Sequence, residues 1–247
     1  MAMTWGRANL ESYATHVIMT TIASNLQAVR YAISEAAASA GRSAEEVTLL
    51  AVSKTFTHEV MRDAYQAGQS RFAESYVQEA LGKIAALPDL PIEWHFIGPL
   101  QSNKTRAIAE HFAWVHSVDR YKIAERLSAQ RPAHLPPLQV CLQVNISGED
   151  SKSGVPPDQL DALAQEVAKL PGLKLRGLMA IPAPCDDTAA QRLPFALLRE
   201  LLNRLNRQGL QLDTLSMGMS HDFAAAIAEG ATMVRIGTAI FGRREYP

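Results

Sequence analysis

Cysteine is scarce in this sequence: Cys141 and Cys185 are the only two in 247 residues. They lie far apart and match no metal-ligand spacing. A disulfide framework and a cysteine metal site are therefore not expected, and two reduced thiols in a cytoplasmic protein are. An excess of charge is also missing. The formal net charge is −1, so no basic face is implied, and neither nucleic acid nor an anionic membrane is an expected partner. No run of about 18 apolar residues occurs, which argues against a membrane-spanning helix. The first residues mix Trp5, Arg7, Glu11 and His16 without a continuous apolar stretch, unlike a secretory signal. The amphipathic pattern starts only after Met19. Residues 1–21 are thus expected to form a poorly ordered extension, with residues 22–247 as the folded domain. No fixed-period repeat, low-complexity run or linker divides that domain.

What is present reads as an ordinary globular chain, 47% hydrophobic and 20% charged. Short apolar runs alternate with longer amphipathic ones almost throughout. The spacing of Ile22, Leu26, Val29 and Ile33 predicts a first helix ending near Gly41. Strands are predicted over 47–53, 71–73, 93–97, 114–117, 138–144, 173–179, 214–216 and 233–236. Between them, helices are expected over 58–66, 77–87, 104–111, 157–170, 189–207 and 221–229. One more starts at Asp119, a good capping residue, and stops before Pro132. Gly68, Gly209 and Gly230 stand where three of these helices should end. Strands alternating with helices imply parallel pairing. Eight such units in about 200 residues fit a single closed (β/α)8 barrel of the TIM type. An open doubly wound sheet is the competitor, but no GxGxxG follows the first strand.

In a (β/α)8 barrel the working face lies at the C-terminal ends of the strands. Lys54 stands there, just past the first strand. Partial burial favours the neutral amine of a lysine, which can condense with an aldehyde; the alternative is a lysine snorkelling at the rim. The ends of the last two strands are where barrels commonly hold a phosphate. Ser216, Gly218 and Met219 offer a hydroxyl and backbone N–H groups there, ahead of a helix expected to start near Ser220. Gly237 and Thr238 offer a second turn of the same kind, and two such turns can cradle one phosphate. Arg235 points to the same side as Gly237; it either forms a structural ion pair or faces a ring nitrogen. His95 reads as a satisfied core histidine. His111, His116 and Asp119 form no metal spacing. Asn145 either bonds a ligand oxygen or caps its loop. Met179 is expected to pack, and Lys152 to be an exposed second amine.

Several segments together resemble the pyridoxal phosphate homeostasis protein family. They are Ala51-Val52-Ser53-Lys54-Thr55, Trp94 through Lys104, Ser151-Lys152-Ser153-Gly154, Arg176 through Pro182, Leu215 through Ser220 and Val234 through Gly242. The resemblance runs from about Ile22 to Tyr246. It implies a barrel similar to the N-terminal domain of alanine racemase and pyridoxal 5′-phosphate (PLP) as cofactor, carried by Lys54 as an internal aldimine. It further implies that Ser216, Gly218, Met219, Gly237 and Thr238 surround the phosphate and that Arg235 faces the pyridine nitrogen; Asn145 completes the expected cofactor-binding set. One departure is Ala73-Glu74-Ser75-Tyr76, where the family usually reads Gly-Glu-Asn-Tyr, so Ser75 replaces an asparagine near the ring. His221 is expected to be a surface residue.

The function implied is a carrier without turnover, holding PLP and handing it on to apo forms of PLP-dependent enzymes. A monomer is expected. The alternative is a PLP-dependent amino-acid racemase. That chemistry needs an acid/base group on each face of the substrate, and the sequence stops soon after Gly242, where a further domain would have to supply the second. A Schiff-base aldolase is a third reading, weakened because no carboxylate stands at the strand ends named above.

Overall fold

The computed structural model describes residues 7–148, 153–185 and 187–242, with side chains from Ile22 onward except Thr188. The strands are β1 (Thr48–Val52), β2 (Arg71–Glu74), β3 (Glu93–Phe96), β4 (Trp114–Val118), β5 (Leu138–Gln143), β6 (Leu173–Met179), β7 (Thr214–Ser216) and β8 (Met233–Ile236). They pair in parallel and close in chain order into the expected barrel. The main helices are α1 (Arg7–Ser39), α2 (His58–Gln66), α3 (Val77–Ala86), α4 (Thr105–His111), α5 (Tyr121–Gln130), α6 (Leu160–Val167), α7 (Thr188–Arg207), α8 (Phe223–Ala228) and α9 (Thr238–Phe241). Closure sets Thr48 of β1 opposite Met233 of β8, and Ala51 opposite Ile236.

Both faces of the sheet are buried, which is why its strands are apolar rather than alternating. Leu50, Val52, Ala73, Trp114, Cys141, Met179 and Met233 cluster together in the interior. Ala51, Phe72, Phe96, Val115, Val140 and Leu142 belong to a second cluster with helical residues such as Leu26, Ile108, Leu127 and Leu198. Polar side chains also lie buried on the inward positions, among them His95, His116, Ser216 and Arg235. α1 and the turn after it tie the two ends of the fold together. Asn25 Nδ2 donates to Ile240 O at 2.9 Å, and Arg42 Nη1 donates to Ile227 O and Ala231 O at 2.9 Å.

Some element ends differ from expectation. α1 begins at Arg7, ahead of residue 22. α6 covers Leu160–Val167 rather than 157–170. Asp119 does not cap α5. The cap is Arg120, and the Asp119 carboxylate accepts from its guanidinium at 2.6 Å instead. α8 starts at Phe223, because Asp222 Oδ1 accepts from Met219 N at 2.6 Å and closes a turn first. Lys152 lies outside the described residues.

Gly177 in β6 fits only because it lacks a side chain: a Cβ there would lie 1.8 Å from Thr214 O on β7. Gly177→Ala must push the two strands apart. The expected loss is about 1–3 kcal/mol or more, the range for overpacking, read as a lower urea midpoint. An unchanged midpoint would refute the strand contact.

Candidate functional site at the C-terminal face

A cavity of about 210 Å³ opens at the C-terminal ends of the strands. Its wall brings together five of the residues singled out in the sequence: Lys54, Met219, Arg235, Gly237 and Thr238. The barrel's closure explains the meeting, since Lys54 follows β1 and Gly237 follows β8. Val52, Ile97 and Ile181 add apolar walls, and Ser75, Ser220 and His221 add polar ones. A larger cavity, about 670 Å³, opens at the other end of the barrel. It is set aside as the site because barrel chemistry belongs to the C-terminal face, and its Arg176 is already bonded to Asp213 and Gln139.

Lys54 is half-buried, and the backbone on both sides of it is held by one buried ionic cluster. Lys83, 5% exposed, donates to Ser53 O at 2.8 Å, to Glu74 Oε1 at 2.7 Å and to Glu79 Oε1. Ser53 Oγ donates to Glu74 Oε1 at 2.7 Å. Thr55 N donates to Glu79 Oε1 at 2.6 Å. Thr55 also has φ 72°, the left-handed region that a β-branched residue rarely adopts. Strain of this kind persists only when neighbours over-determine it, and Glu79 is the neighbour that does so. Burial pushes the Glu74 carboxyl up, against the pull of Lys83 and Ser53.

Arg235 is 4% exposed and reaches the cavity from β8. Its Nη1 donates to Ser216 Oγ and its Nη2 to Ala180 O, each at 2.9 Å. Burial pulls its pKa down to about 10, so it remains a cation at neutral pH. Among the described residues, the wall of the cavity contains no carboxylate.

Three expected site residues are not in this wall. Ser216 is fully buried, its hydroxyl engaged by Arg235 and by His116 Nδ1 at 2.8 Å. Gly218, with φ 93°, supports the corner from behind, where a Cβ would meet Ala226 Cβ at 2.7 Å. Asn145 follows β5 and is half-buried, its N–H bonded to Val155 O at 3.0 Å. The Met219 N–H, expected to face a phosphate, is taken by Asp222. His221 is half exposed yet lines the mouth. Met179 is fully buried and packs, as expected.

The family model for the alanine racemase N-terminal domain matches residues 24–245. A pyridoxal phosphate homeostasis protein from Pseudomonas aeruginosa is 65% identical over 228 residues, covering 92% of this chain and 98% of that protein. The chain belongs to the pyridoxal phosphate homeostasis protein family. Another member, from Escherichia coli K12, is 55% identical over 234 residues, covering 92% and 99%. Among solved structures, PipY of Synechococcus elongatus PCC7942, with PLP bound, is 40% identical with a TM-score of 0.80, covering 90% of this chain and all of that one. Alanine racemase from Corynebacterium glutamicum, 18% identical with a TM-score of 0.68 over 92% of this chain and 61% of its own, shares the fold.

The cluster behind Lys54 carries a testable consequence. Lys83→Met leaves the buried Glu74 carboxylate without its cation and with Glu79 beside it. Removing one partner of a buried ion pair costs about 3–5 kcal/mol, so the urea midpoint should fall accordingly. A midpoint equal to wild type would show that the ammonium does not hold this corner.

Proposed function

We propose that this chain binds PLP in the C-terminal cavity, with Lys54 as its covalent anchor, and works as a carrier without turnover. The observation that carries the reading is the convergence in one cavity of an amine, a buried guanidinium and two turns, the one after β7 contributing Met219 and Ser220 and the one after β8 contributing Gly237 and Thr238. The donor set fits the group. Lys54 is the amine that holds the aldehyde end. Gly237 and Thr238 open α9, whose first N–H groups have no partner within the helix, and Ser220 adds a hydroxyl to the same wall, so this corner takes the phosphate. Met219 adds a wall there, while Ser216 and Gly218 act from behind the surface. Val52, Ile97 and Ile181 flank the ring. Arg235 faces the pyridine nitrogen. Asn145, following β5, stands at the rim of the same face.

When bound, PLP supplies an electron-withdrawing pyridine to any amine attached to it. The chain's own residues restrain that power. Arg235 is a donor that stays charged, so it keeps a ring nitrogen beside it unprotonated and a weak electron sink. Among the described residues no acidic side chain lines the wall, which suits a phosphate dianion, and Lys54 and His221 are groups there able to move a proton. The PLP bound by the PipY relative and the name shared by the two bacterial relatives support the same reading. Residues 22–247 form the working domain, acting as a monomer in the cytoplasm and delivering PLP to apo enzymes. No helix among the described residues is long and apolar enough to cross a membrane.

The test is an absorbance spectrum of the purified protein with added PLP, then borohydride reduction and peptide mapping. A visible band and a pyridoxyl group on Lys54 are expected, and both should vanish in Lys54→Ala while the fold persists. Gly237→Val should weaken binding, because even a Cβ there lies 3.1 Å from Val52 O. A protein that stays colourless and unmodified overturns the reading.

A further inference from the structure

Four hydrogen bonds run unbroken through the barrel interior. Glu93 Oε1 lies 2.9 Å from His95 Nε2, and His95 Nδ1 lies 2.9 Å from His116 Nε2. His116 Nδ1 lies 2.8 Å from Ser216 Oγ, which accepts from Arg235 Nη1 at 2.9 Å. The chain joins the two ends of the barrel. Glu93 starts β3 and lines the larger cavity at the N-terminal end, whereas Arg235 lines the smaller one at the C-terminal face. His95, His116 and Ser216 are fully buried, so no water reaches the links between them.

We propose that Glu93, His95, His116 and Ser216 form a polarised relay that positions Arg235 at the cofactor cavity from the opposite end of the barrel. They are positioning residues, and the inference rests on the reading that PLP lies beside Arg235.

Proton counting fixes the polarity. Arginine only donates, so Ser216 Oγ accepts at that end, and its single proton is available for His116 Nδ1. When Ser216 gives that proton to His116 Nδ1, His116 carries its own proton on Nε2 and gives it to His95 Nδ1. His95 in turn carries its proton on Nε2 and gives it to the Glu93 carboxylate. Both rings are neutral Nε2–H tautomers in this arrangement. The opposite polarity leaves a bare His95 Nε2 against Glu93, and it works only with an imidazolium at His95 or an acid at Glu93. Burial disfavours the first by lowering His95, and lowers His116 further still. The bond from His95 holds Glu93 below the usual carboxylate range, which disfavours the second.

The remaining geometry keeps the relay in register. His95 stacks on Trp114 with ring centroids 5.5 Å apart and 14° between planes, and Arg176 covers the Trp114 ring at 4.9 Å. Arg71 Nε donates to the same Glu93 oxygen at 3.2 Å, keeping the carboxylate ionised at the solvent end. Bonds in such a chain polarise one another. Losing the terminal acceptor therefore loosens every link up to Ser216, and with it one of the two bonds that aim the Arg235 guanidinium.

Two measurements decide this. The first needs no cofactor: nitrogen chemical shifts of histidine-labelled protein at pH 7. Both His95 and His116 should show a protonated Nε2 and a bare Nδ1; an imidazolium or an Nδ1–H ring in either position overturns the relay. The second is PLP titration of wild type, His116→Leu, Glu93→Ala and Glu93→Gln. Breaking a hydrogen bond to a charged group weakens binding by about tenfold or more. Loss of that order, with a displaced visible band, is expected in His116→Leu and in Glu93→Ala. Glu93→Gln keeps an acceptor for His95 and should recover most of the affinity and the band position. Wild-type affinity and spectrum in both disrupting variants overturn the coupling. Failure of the wild-type protein itself to take up PLP would sink the proposed function instead, and the nitrogen shifts would still judge the tautomers.

Discussion

The site depends on the closing of the sheet. β8 pairs with β1, setting Leu50 opposite Arg235 and Ala51 opposite Ile236. Residues far apart in sequence thereby end on adjacent strands, and the turn after β1 carrying Lys54 meets the turn after β8 carrying Gly237 and Thr238. In an open sheet, β1 and β8 need not be neighbours, and the amine of Lys54 would not share a cavity with Gly237 and Thr238. α1 and the turn after it reinforce the same seam, since Asn25 holds the carbonyl of Ile240 in α9 and Arg42 holds the end of α8.

Closure also creates an interior, and what fills it decides how rigid the site is. A purely apolar filling would leave Arg235 with the Ala180 carbonyl but without Ser216, and an under-paired buried cation is costly. The fold answers with a polar column inside the sheet and an ionic cluster outside it. The column satisfies Arg235 through Ser216 and Ala180 O. The cluster of Lys83, Glu74 and Glu79 lies between the sheet and α3 and grips the carbonyl before Lys54 and the amide after it. Neither arrangement is efficient as a source of stability, because desolvation offsets most of the Coulombic gain of buried charges. Their effect is geometric: each fixes one side of the cavity from behind, leaving the cavity's own surface small and open.

Most of the fold was legible because its signal is periodic. Short apolar runs separated by amphipathic ones yield parallel strands and helices whatever the details. The parts of the site that follow from strand position were legible too, namely Lys54, Arg235, Gly237, Thr238 and Met219. What sequence reading missed depends on where individual hydrogen bonds go. Ser216 stands at the right strand end, but its hydroxyl is bound inside the barrel by Arg235 and His116. The Met219 N–H is spent on Asp222, an acceptor three residues on that delays α8 to Phe223. Asp119 likewise has the right chemistry for a cap and is captured by Arg120. The apolar walls Val52, Ile97 and Ile181 look like ordinary core residues until the register shows that they stand at the ends of the strands. His95 was legible as a satisfied buried histidine, but the identity of its partners, two and twenty-one residues away, was not.

Ser75 shows how this corner tolerates change. It follows β2 and lines the cavity, and its backbone is packed so closely by Gly98 that a Cβ on that glycine would lie 2.1 Å from Ser75 O. The main chain there is fixed by contact with the loop after β3, independently of the side chain it carries. A shorter side chain at this position therefore leaves the wall where it was and only widens the space beside the ring. On the proposed binding mode, a wall that can lose reach without moving would leave PLP held at its two ends, by Lys54 and by the corner at Gly237 and Thr238, with looser contact at its edge. Such a division would suit the proposed carrier, which must keep PLP and also release it: the two ends would supply the affinity, and the space beside Ser75 would give an incoming amine room to approach.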